Sequence, residues 1–386
     1  MANQKEIKIM LTAGGTAGHI NPLLAVYSAA MAIKEAEGLK LRFTYIGDPD
    51  AYANKFKELG IPVKRIISSK LRRYISVSNL FEVPRFVLSW FESLWHMCRE
   101  MPDILISKGG PSSLAPIIAA RFLMIPVVIH ESDAIPSVTT KISGRFAKKI
   151  FLAFEDARDG LRKKDQKKCE VVGNPLRPSL FENPLDKRDA KIALGFNSDK
   201  PLMLVLGGSQ GSQRINNLIT ESLPKILELG FQVFHQTGAK LFSEVSGSLG
   251  HYFDSLEEMD AAGYKITDFF NRNIKEVLAA ADLVISRAGS SLFEFAAFGI
   301  PSILIPLPEA AQNHQLKNAL SYKKSGACIV MEEDEMSVQS FIRTLEILVS
   351  EKSRLKMMSE AAKRFAKPDA ASKIAEKLIK LASDKN

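Results

Sequence analysis

The chain has 386 residues, of which 46% are hydrophobic and 25% are charged. This composition excludes a disordered or fibrous protein, and the length predicts two domains that each bury a core. The 52 basic and 43 acidic residues give a net charge of +9, which favours anionic partners without identifying one.

The cysteines and the apolar runs indicate where the protein works. The chain has three cysteines, far apart in sequence: Cys98, Cys169 and Cys328. Their odd number and spacing argue against a disulfide framework or a zinc site and suit a reducing cytosol. The apolar run at 7–11 is too short for a signal peptide, and Pro116 and Pro126 interrupt the run at 114–129. We therefore expect any membrane contact to be peripheral.

Short β-rich runs alternate with helical patterns along the chain. The strands predicted in the first half are residues 7–11, 43–46, 104–106, 127–129 and 150–153. Those predicted in the second half are residues 203–206, 233–236, 283–285 and 302–305. This alternation indicates right-handed βαβ units and parallel sheets with both faces covered.

The two halves repeat one plan. The segment from Asp103 (DILISKGGPSSL) resembles the segment from Asp282 (DLVISRAGSSL), and an Ile-Pro pair follows each. The openings IKIMLTAGGTAGH and PLMLVLGGSQGSQ correspond in the same way. We predict an α/β fold of two Rossmann-like domains that face each other across a cleft, with one large sheet as the alternative.

The predicted domains are residues 1–172 and 173–365, because a strand-like segment ends at turn residues from Gly173. Residues 366–386 are predicted to form a C-terminal helix that packs back on the first domain. Arg177, just past this boundary, suits a phosphate group; an ordinary surface arginine is the alternative.

A Gly-rich turn with Gly14 and Gly15 links the first strand to a helical pattern. Glycines let the backbone approach a ligand, and a helix N-terminus offers unpaired N–H groups to an anion. The turn is neither a P-loop nor a complete dinucleotide fingerprint. His19, in the first helical turn, is a candidate base for a substrate hydroxyl; a capping or packing histidine is the alternative.

Three segments of the second half suit a nucleotide sugar. Residues 207–211 repeat the Gly-rich turn, with Ser209 placed to donate to a phosphate oxygen. In residues 286–294 a glycine and serines open a helix suited to a diphosphate, and Glu294 suits a ribose diol. The amide-rich residues 312–315 suit sugar hydroxyls. A tight turn, a capping carboxylate and a polar loop are the respective alternatives.

Apolar side chains crowd one predicted helix that follows a basic segment. Lys70, Arg72 and Arg73 precede Leu80, Phe81, Val83, Phe86, Val87, Leu88, Trp90, Phe91, Leu94 and Trp95. Exposed apolar residues beside basic ones suit an anionic bilayer surface. A helix buried in the core is the alternative.

Taken together, these motifs resemble the MurG family of glycosyltransferases, which have the GT-B fold. GGTAGHINP, HES, GNPLR, GGSQG, and SRAG with a following glutamate and an HQ–NA segment occur in that family's order over nearly the whole chain. The resemblance implies an inverting N-acetylglucosaminyltransferase. It would move N-acetylglucosamine from UDP-N-acetylglucosamine to the muramyl C4 hydroxyl of undecaprenyl-diphosphoryl-N-acetylmuramyl-pentapeptide, the lipid I to lipid II step of peptidoglycan biosynthesis.

The resemblance also implies residue roles. The catalytic candidates are His19 and His130. Donor contacts are implied for Thr16, Ala17, Gly18, Arg177, Ser209, Phe270, Ser290, Ser291, Leu292, Phe293, Glu294 and Gln315. Acceptor contacts are implied for Gly14, Gly15, Gly109, Gly110 and Asp133. No metal or cofactor is implied, since UDP-N-acetylglucosamine is a substrate.

The implied partners are UDP-N-acetylglucosamine, the undecaprenyl-linked muramyl-pentapeptide and an anionic membrane surface, without nucleic acid. The implied location is the cytoplasmic face of the plasma membrane, with peripheral attachment. The sequence departs from the family's pattern at Ser132 and Asp133, in a shorter 287–294 turn, and in a 109–113 loop without an aromatic residue. Another GT-B glycolipid glycosyltransferase, a UDP-N-acetylglucosamine epimerase and a non-catalytic UDP-sugar-binding protein are the alternatives.

Overall fold

The computed structural model of the protein describes residues 6–68, 77–208, 210–270 and 273–384. The chain divides into two compact units. The first unit comprises the residues up to Phe181 together with the C-terminal segment from Lys367, and the second comprises Glu182–Ala366. The first unit therefore extends beyond residue 172, where the sequence places the boundary. Residues 173–181 stay with it because the turn Pro178–Leu180 packs against the first helix of that unit.

Parallel strands form the centre of the first unit. They are β1 Ile7–Thr12, β2 Leu41–Ile46, β3 Val63–Lys64, β4 Ile104–Ser107, β5 Val127–Glu131, β6 Lys149–Leu152 and β7 Cys169–Val171. The helices are α1 Ala17–Glu37, α2 Ala53–Glu58, α3 Val77–Glu100, α4 Leu114–Phe122, α5 Val138–Ser143 and α6 Lys163–Gln166. The strand order in the described residues is β3-β2-β1-β4-β5-β6-β7. The order reverses between β1 and β4, and this switch point is where open α/β sheets bind ligands.

A helix from the far end of the chain completes the first core. This helix, α16 (Ala370–Ser383), packs against α1 and β1. Its apolar face buries Ile374 and Leu378 with Ile9 and Leu11 of β1. The buried part of β1 and the whole of β4 are apolar up to their last residue, a pattern typical of strands covered on both faces.

The second unit repeats the plan. Its strands are β8 Leu202–Leu206, β9 Gln232–Gln236, β10 Tyr264–Thr267, β11 Leu283–Ser286, β12 Ser302–Leu304 and β13 Cys328–Val330. Its helices are α7 Lys187–Ala193, α8 Gln213–Glu228, α9 Phe242–Leu249, α10 Leu256–Ala261, α11 Ile274–Ala280, α12 Leu292–Phe298, α13 His314–Lys323, α14 Val338–Ser350 and α15 Lys352–Phe365. The strands are parallel, in the order β10-β9-β8-β11-β12-β13, so the switch point lies between β8 and β11. The prediction of an α/β fold with parallel sheets is confirmed.

Candidate functional site

Two glycine-rich loops meet at the switch point of the first unit. One follows β1 and the other follows β4, and the amide of Gly14 donates to the carbonyl of Gly109 over 2.8 Å. Gly109 and Gly110 have φ angles of 82° and 91°, a region that favours glycine. The predicted acceptor loops are thus neighbours, held by the side-by-side strands β1 and β4.

His19 lies in the first turn of α1, directly beside these loops. Its Nδ1 is 2.7 Å from the Thr16 hydroxyl, and a Cβ on Gly14 would come within 3.3 Å of that same nitrogen. Thr16, the N-cap residue, therefore orients the ring instead of capping the helix through its side chain. The structure brings His19 and Thr16 together with Gly14, Gly15 and Gly110; the side chain of Ala17 lies outside the described residues.

His130 is the next-to-last residue of β5 and is buried. Its Nε2 lies 2.8 Å from the carbonyl of Gly173, and since a carbonyl only accepts, Nε2 carries the proton. Burial and the nearby Lys108 ammonium hold the pKa of His130 well below its usual value, although the bond to Gly173 acts the other way. His130 is therefore a neutral imidazole inside the protein, which favours His19 over His130 as the group that meets a substrate.

A buried charged cluster surrounds His130. Lys108 follows β4, and among the described residues its Nζ has no hydrogen-bond partner. Burial lowers the pKa of Lys108 to about 8, while Glu131 and Asp133 act to raise it. Glu131 accepts from the amides of Asp133 (3.1 Å) and Ser137 (2.9 Å). Burial and the Asp133 carboxylate raise the pKa of Glu131, whereas these hydrogen bonds lower it. Asp133 thus stands beside an interior cluster.

Arg177 belongs to the first unit. It precedes the turn Pro178–Leu180, and its charge acts on the Tyr52 hydroxyl of the same unit, where it lowers the pKa that burial raises. Arg177 therefore lies in the same unit as the predicted donor residues Thr16, Ala17 and Gly18. The other predicted donor residues lie in the second unit.

In the second unit, the loop after β8 leads into the long helix α8. Gly208 has a φ angle of 92°, and Ser212 caps α8 by accepting from the amide of Ile215 at 3.4 Å. Gly211 lies so close to the loop after β9 that a Cβ there would be 2.1 Å from the Thr237 carbonyl oxygen. The predicted phosphate contact Ser209 lies outside the described residues.

A buried arginine holds the carboxyl-end loops of this sheet together. Arg287 donates to the Ser212 hydroxyl (2.7 Å) and to the carbonyl of Ile305 (3.0 Å), and it pairs with the buried carboxylate of Glu333. Arg214 also pairs with Glu333. Burial lowers the pKa of Arg287 to about 10, helped by Arg214. The loops after β8, β11, β12 and β13 are therefore linked.

The turn after β11 carries most of the predicted donor contacts. The amides of Leu292, Phe293 and Glu294 donate to the carbonyls three residues earlier, so the turn opens α12 with tight 3₁₀ geometry. Ser290 and Glu294 are partly exposed, whereas Leu292 and Phe293 are buried. Farther along the chain, Gln315 accepts from the amide of Leu307 at 3.1 Å.

Phe270, the predicted base-binding position, follows β10. Its amide donates to the side-chain oxygen of Gln236 at 3.0 Å, and its ring packs edge-on against Phe234 with centroids 4.6 Å apart. The Gln236 amide nitrogen donates to the carbonyl of Gly208 at 3.2 Å. The segment is thus tied to the loop after β8.

Sequence reasoning missed Lys108, Glu131 and Gln236. Each follows or ends a buried strand, and a polar side chain at that point was the available signal. Lys108 also lies inside the repeated segment DILISKGG, where an arginine, Arg287, corresponds to it in the second unit.

One face of helix α3 exposes a group of large apolar side chains. On α3, Ser89, Ser93 and Met97 are buried, whereas the opposite face exposes Val83, Val87, Leu88, Phe91 (57% exposed) and Trp95 (62% exposed). Trp90 packs edge-on against the exposed Phe122 that ends α4. The predicted basic residues Lys70, Arg72 and Arg73, and the side chains of Leu80 and Phe81, lie outside the described residues. Within the described part of the chain, no helix is long and apolar enough to span a membrane.

Family models match both units. The glycosyltransferase family 28 N-terminal domain matches residues 9–152, and the family 28 C-terminal domain matches residues 202–374. A Staphylococcus carnosus protein named UDP-N-acetylglucosamine–N-acetylmuramyl-(pentapeptide) pyrophosphoryl-undecaprenol N-acetylglucosamine transferase is 36% identical over 373 residues, covering 95% of this chain and 96% of that protein. A Listeria monocytogenes protein of the same name is 32% identical over 378 residues, covering 97% and 99%.

Solved structures share the fold. MurG of Acinetobacter baumannii superposes with a TM-score of 0.73 at 23% identity, over 97% of this chain and 99% of that one. A putative UDP-N-acetylglucosamine 2-epimerase from Listeria monocytogenes gives 0.70 at 16% identity, over 99% and 98%. Likeness at such identities concerns the fold alone, and the α/β fold of two Rossmann-like domains predicted from the sequence is confirmed.

Proposed function

The chain belongs to glycosyltransferase family 28, in the group named for N-acetylglucosamine transfer to N-acetylmuramyl-(pentapeptide) pyrophosphoryl-undecaprenol, and we propose that it catalyses this reaction. The family resemblance predicted from the motifs is confirmed, and the protein is a glycosyltransferase. The observation that carries the proposal is the 36% identity over 95% of the chain, because it spans both units and both sets of glycine-rich loops.

The second unit offers the chemistry that a UDP-sugar requires. The glycines of the loop after β8 let its backbone approach a phosphate group. The loop leads into α8, whose N-terminus favours an anion. Glu294 is partly exposed on α12, one turn beyond Ser290, and its carboxylate suits a ribose diol. Phe270 supplies the base-binding segment. We assign the donor to these residues, with Gln315 at the sugar.

The first unit offers an acceptor site with a base. In the tautomer with its proton on Nδ1, His19 donates to Thr16 Oγ1 and leaves Nε2 as the acceptor for a hydroxyl proton. The loops with Gly14, Gly15, Gly109 and Gly110 are our candidate site for the diphosphate of the lipid-linked acceptor, and Asp133 lies beyond β5 on the same edge of the sheet.

The reaction is then a single displacement. The muramyl C4 hydroxyl attacks the anomeric carbon as its proton passes to His19, the bond from that carbon to the diphosphate oxygen breaks, and UDP leaves with inversion. Preorganised hydrogen-bond donors stabilise charge on the departing diphosphate. The loss of one such hydrogen-bond donor typically raises the activation free energy by about 3 kcal/mol. Arg177 and the turn at Ser290 are our candidates for this role, and no metal or cofactor is assigned.

The exposed apolar face of α3 supports peripheral attachment to a membrane. Its aromatic and aliphatic residues stand beside Arg85, Arg99 and Arg121, an arrangement suited to an anionic bilayer surface. A lipid-linked acceptor is available only at such a surface. We assign the enzyme to the cytoplasmic face of the plasma membrane, where the nucleotide sugar is present.

Incubation of the purified protein with labelled UDP-N-acetylglucosamine and undecaprenyl-diphosphoryl-muramyl-pentapeptide tests the proposal. We expect label in the lipid and stoichiometric release of UDP, both dependent on the acceptor. Sugar conversion without acceptor would instead identify an epimerase, which the comparisons support only through fold. Transfer to diacylglycerol in preference to the muramyl lipid would identify a different glycolipid transferase.

A further inference from the structure

One buried carboxamide joins two loops of the second unit. Gln236 ends β9 and is 4% exposed. Its Oε1 accepts from the amide of Phe270 at 3.0 Å, and its Nε2 donates to the carbonyl of Gly208 at 3.2 Å. In the sheet it is paired with Leu206 of β8 and Thr267 of β10, so it stands between the two loops that it contacts.

The chemistry of both partners requires a glutamine-like amide at this position. Phe270 presents an N–H, which needs an acceptor, and Gly208 presents a carbonyl, which needs a donor. A carboxylate would accept from Phe270 but would face the Gly208 carbonyl without a proton. An apolar side chain would leave both backbone groups without this partner. The loss is costly at the buried amide of Phe270, whereas Gly208 is exposed and its carbonyl can bond to water.

We propose that Gln236 is a positioning residue that fixes the spacing between the phosphate-binding loop after β8 and the base-binding segment after β10. The inference rests on the proposed function, since it takes a nucleoside diphosphate to be the ligand of both segments. A ligand held at two points gains affinity when the spacing of those points is set before binding. Gln236 would thereby act on the affinity for the donor and on the choice of its base.

The same strand contains a matched control. Gln232 begins β9 and is 5% exposed. Its Oε1 accepts from the amide of Asn197 at 2.7 Å, and its Nε2 donates to the carbonyl of the same residue at 2.8 Å. It is therefore a bridging amide of equal burial, at the amino end of the sheet and away from the proposed donor site. Substitution of Gln232 therefore measures only the loss of stability caused by removing a buried amide from this strand.

The experiment compares Gln236→Met and Gln236→Glu with Gln232→Met in the full-length protein. Thermal unfolding measures the structural cost, and steady-state kinetics measures kcat and KM for donor and acceptor separately. We expect Gln236→Met to raise the donor KM and the inhibition constant of UDP about tenfold, equal to about 1.4 kcal/mol. The acceptor KM should change less than about twofold, and Gln232→Met should leave the donor KM at the wild-type value.

The preference for UDP over CDP distinguishes a positioning role from a purely structural one, because a loss of stability alone would leave this preference unchanged. Inhibition by CDP should change less than inhibition by UDP in Gln236→Met, so the preference for UDP over CDP should fall. A donor KM and a UDP preference equal to those of Gln232→Met would overturn the inference. If the wild type showed no transfer, the proposed function would fail instead, and calorimetric titration with UDP would still test Gln236.

Discussion

The backbones of Gly14 and Gly110 meet at the switch point of the first unit. A Cβ atom on Gly110 would lie 2.7 Å from the Cα of Gly14 and 2.8 Å from its nitrogen. Gly14 in turn packs against the ring of His19, since a Cβ on Gly14 would be 3.3 Å from the ring Nδ1. The loop after β4 thus supports the loop that holds the proposed base.

Gly110→Ala should impair turnover more than its neighbour Gly109→Ala. Both residues have a positive φ, so each alanine costs on the order of 1–3 kcal/mol in backbone strain. Only the alanine at 110 also pushes against Gly14 and displaces His19, because a Cβ on Gly109 meets nothing within 4 Å. We expect a larger loss in unfolding free energy for Gly110→Ala than for Gly109→Ala, together with a further loss in kcat of at least about tenfold. Equal kcat values in the two variants would contradict this support role.

The Thr16–His19 pair should control kcat. His19→Ala removes the proposed base, which typically contributes about 10²–10⁴ in rate. Thr16→Val keeps the size of the side chain but removes the partner of Nδ1, so the ring loses its orientation and we expect kcat to fall about tenfold. Thr16→Ser retains the hydroxyl and should restore most of the activity. Near-full turnover of His19→Ala would exclude His19 as the base.

The fold was predictable from sequence where strands are fully buried. β4, β8 and β11 are buried along their length and are apolar up to their last residue, and the buried parts of β1 and β5 are apolar up to the polar residues at their ends. The missed strands are β3, β7, β10 and β13, which lie at or next to sheet edges. β3, β7 and β10 are short, mostly half-buried and include the charged residues Lys64, Glu170 and Lys265, so they lack the continuous apolar run of a central strand. β13 is apolar but only three residues long.

The loops of the candidate site were predictable because a glycine-rich turn between a strand and a helix is a local pattern. The supporting contacts were not, because their partners are distant in sequence. Gln236 lies 28 residues from Gly208 and 34 from Phe270. The interior position of Lys108 likewise depends on β5, which brings His130 beside it. Such contacts follow from strand order, and a sequence does not display strand order directly.

Lys108 should give the stability of the protein a distinct pH dependence. Its pKa in the folded chain is about 8, whereas a lysine in an unfolded chain titrates near 10.4. Between these values the unfolded chain holds a proton that the folded chain has released. The contribution of this group to the free energy of unfolding therefore rises with pH, by about 1.4 kcal/mol per pH unit. Below about pH 8 both states are protonated and the contribution is constant.

Lys108→Met should abolish that rise. Denaturant unfolding of the wild type and of the variant between pH 7 and pH 10 gives the difference directly, because the other titrating groups are shared. If the unfolding free energies of the two proteins changed with pH in parallel, Lys108 would have the same pKa in the folded and unfolded chains, contrary to its buried position.

The exposed face of α3 should carry membrane binding without taking part in chemistry. Val87→Glu combined with Phe91→Glu places two charges at the centre of this face, where burial in a bilayer would be costly. We expect binding to vesicles that contain anionic phospholipid to fall at least about tenfold in a sedimentation assay. Because Ser89, Ser93 and Met97 form the buried face of the helix, the thermal stability should change little.

Two exposed apolar residues of the second unit provide the control, Ile192→Glu combined with Met357→Glu. This pair adds the same charge elsewhere and should leave vesicle binding close to the wild-type value. Turnover of a short-chain, water-soluble acceptor should be the same in all three proteins, since that substrate needs no bilayer. Equal vesicle binding by the α3 variant and the control would assign the membrane contact to another surface. Loss of turnover with the soluble acceptor would instead place α3 in the acceptor site itself.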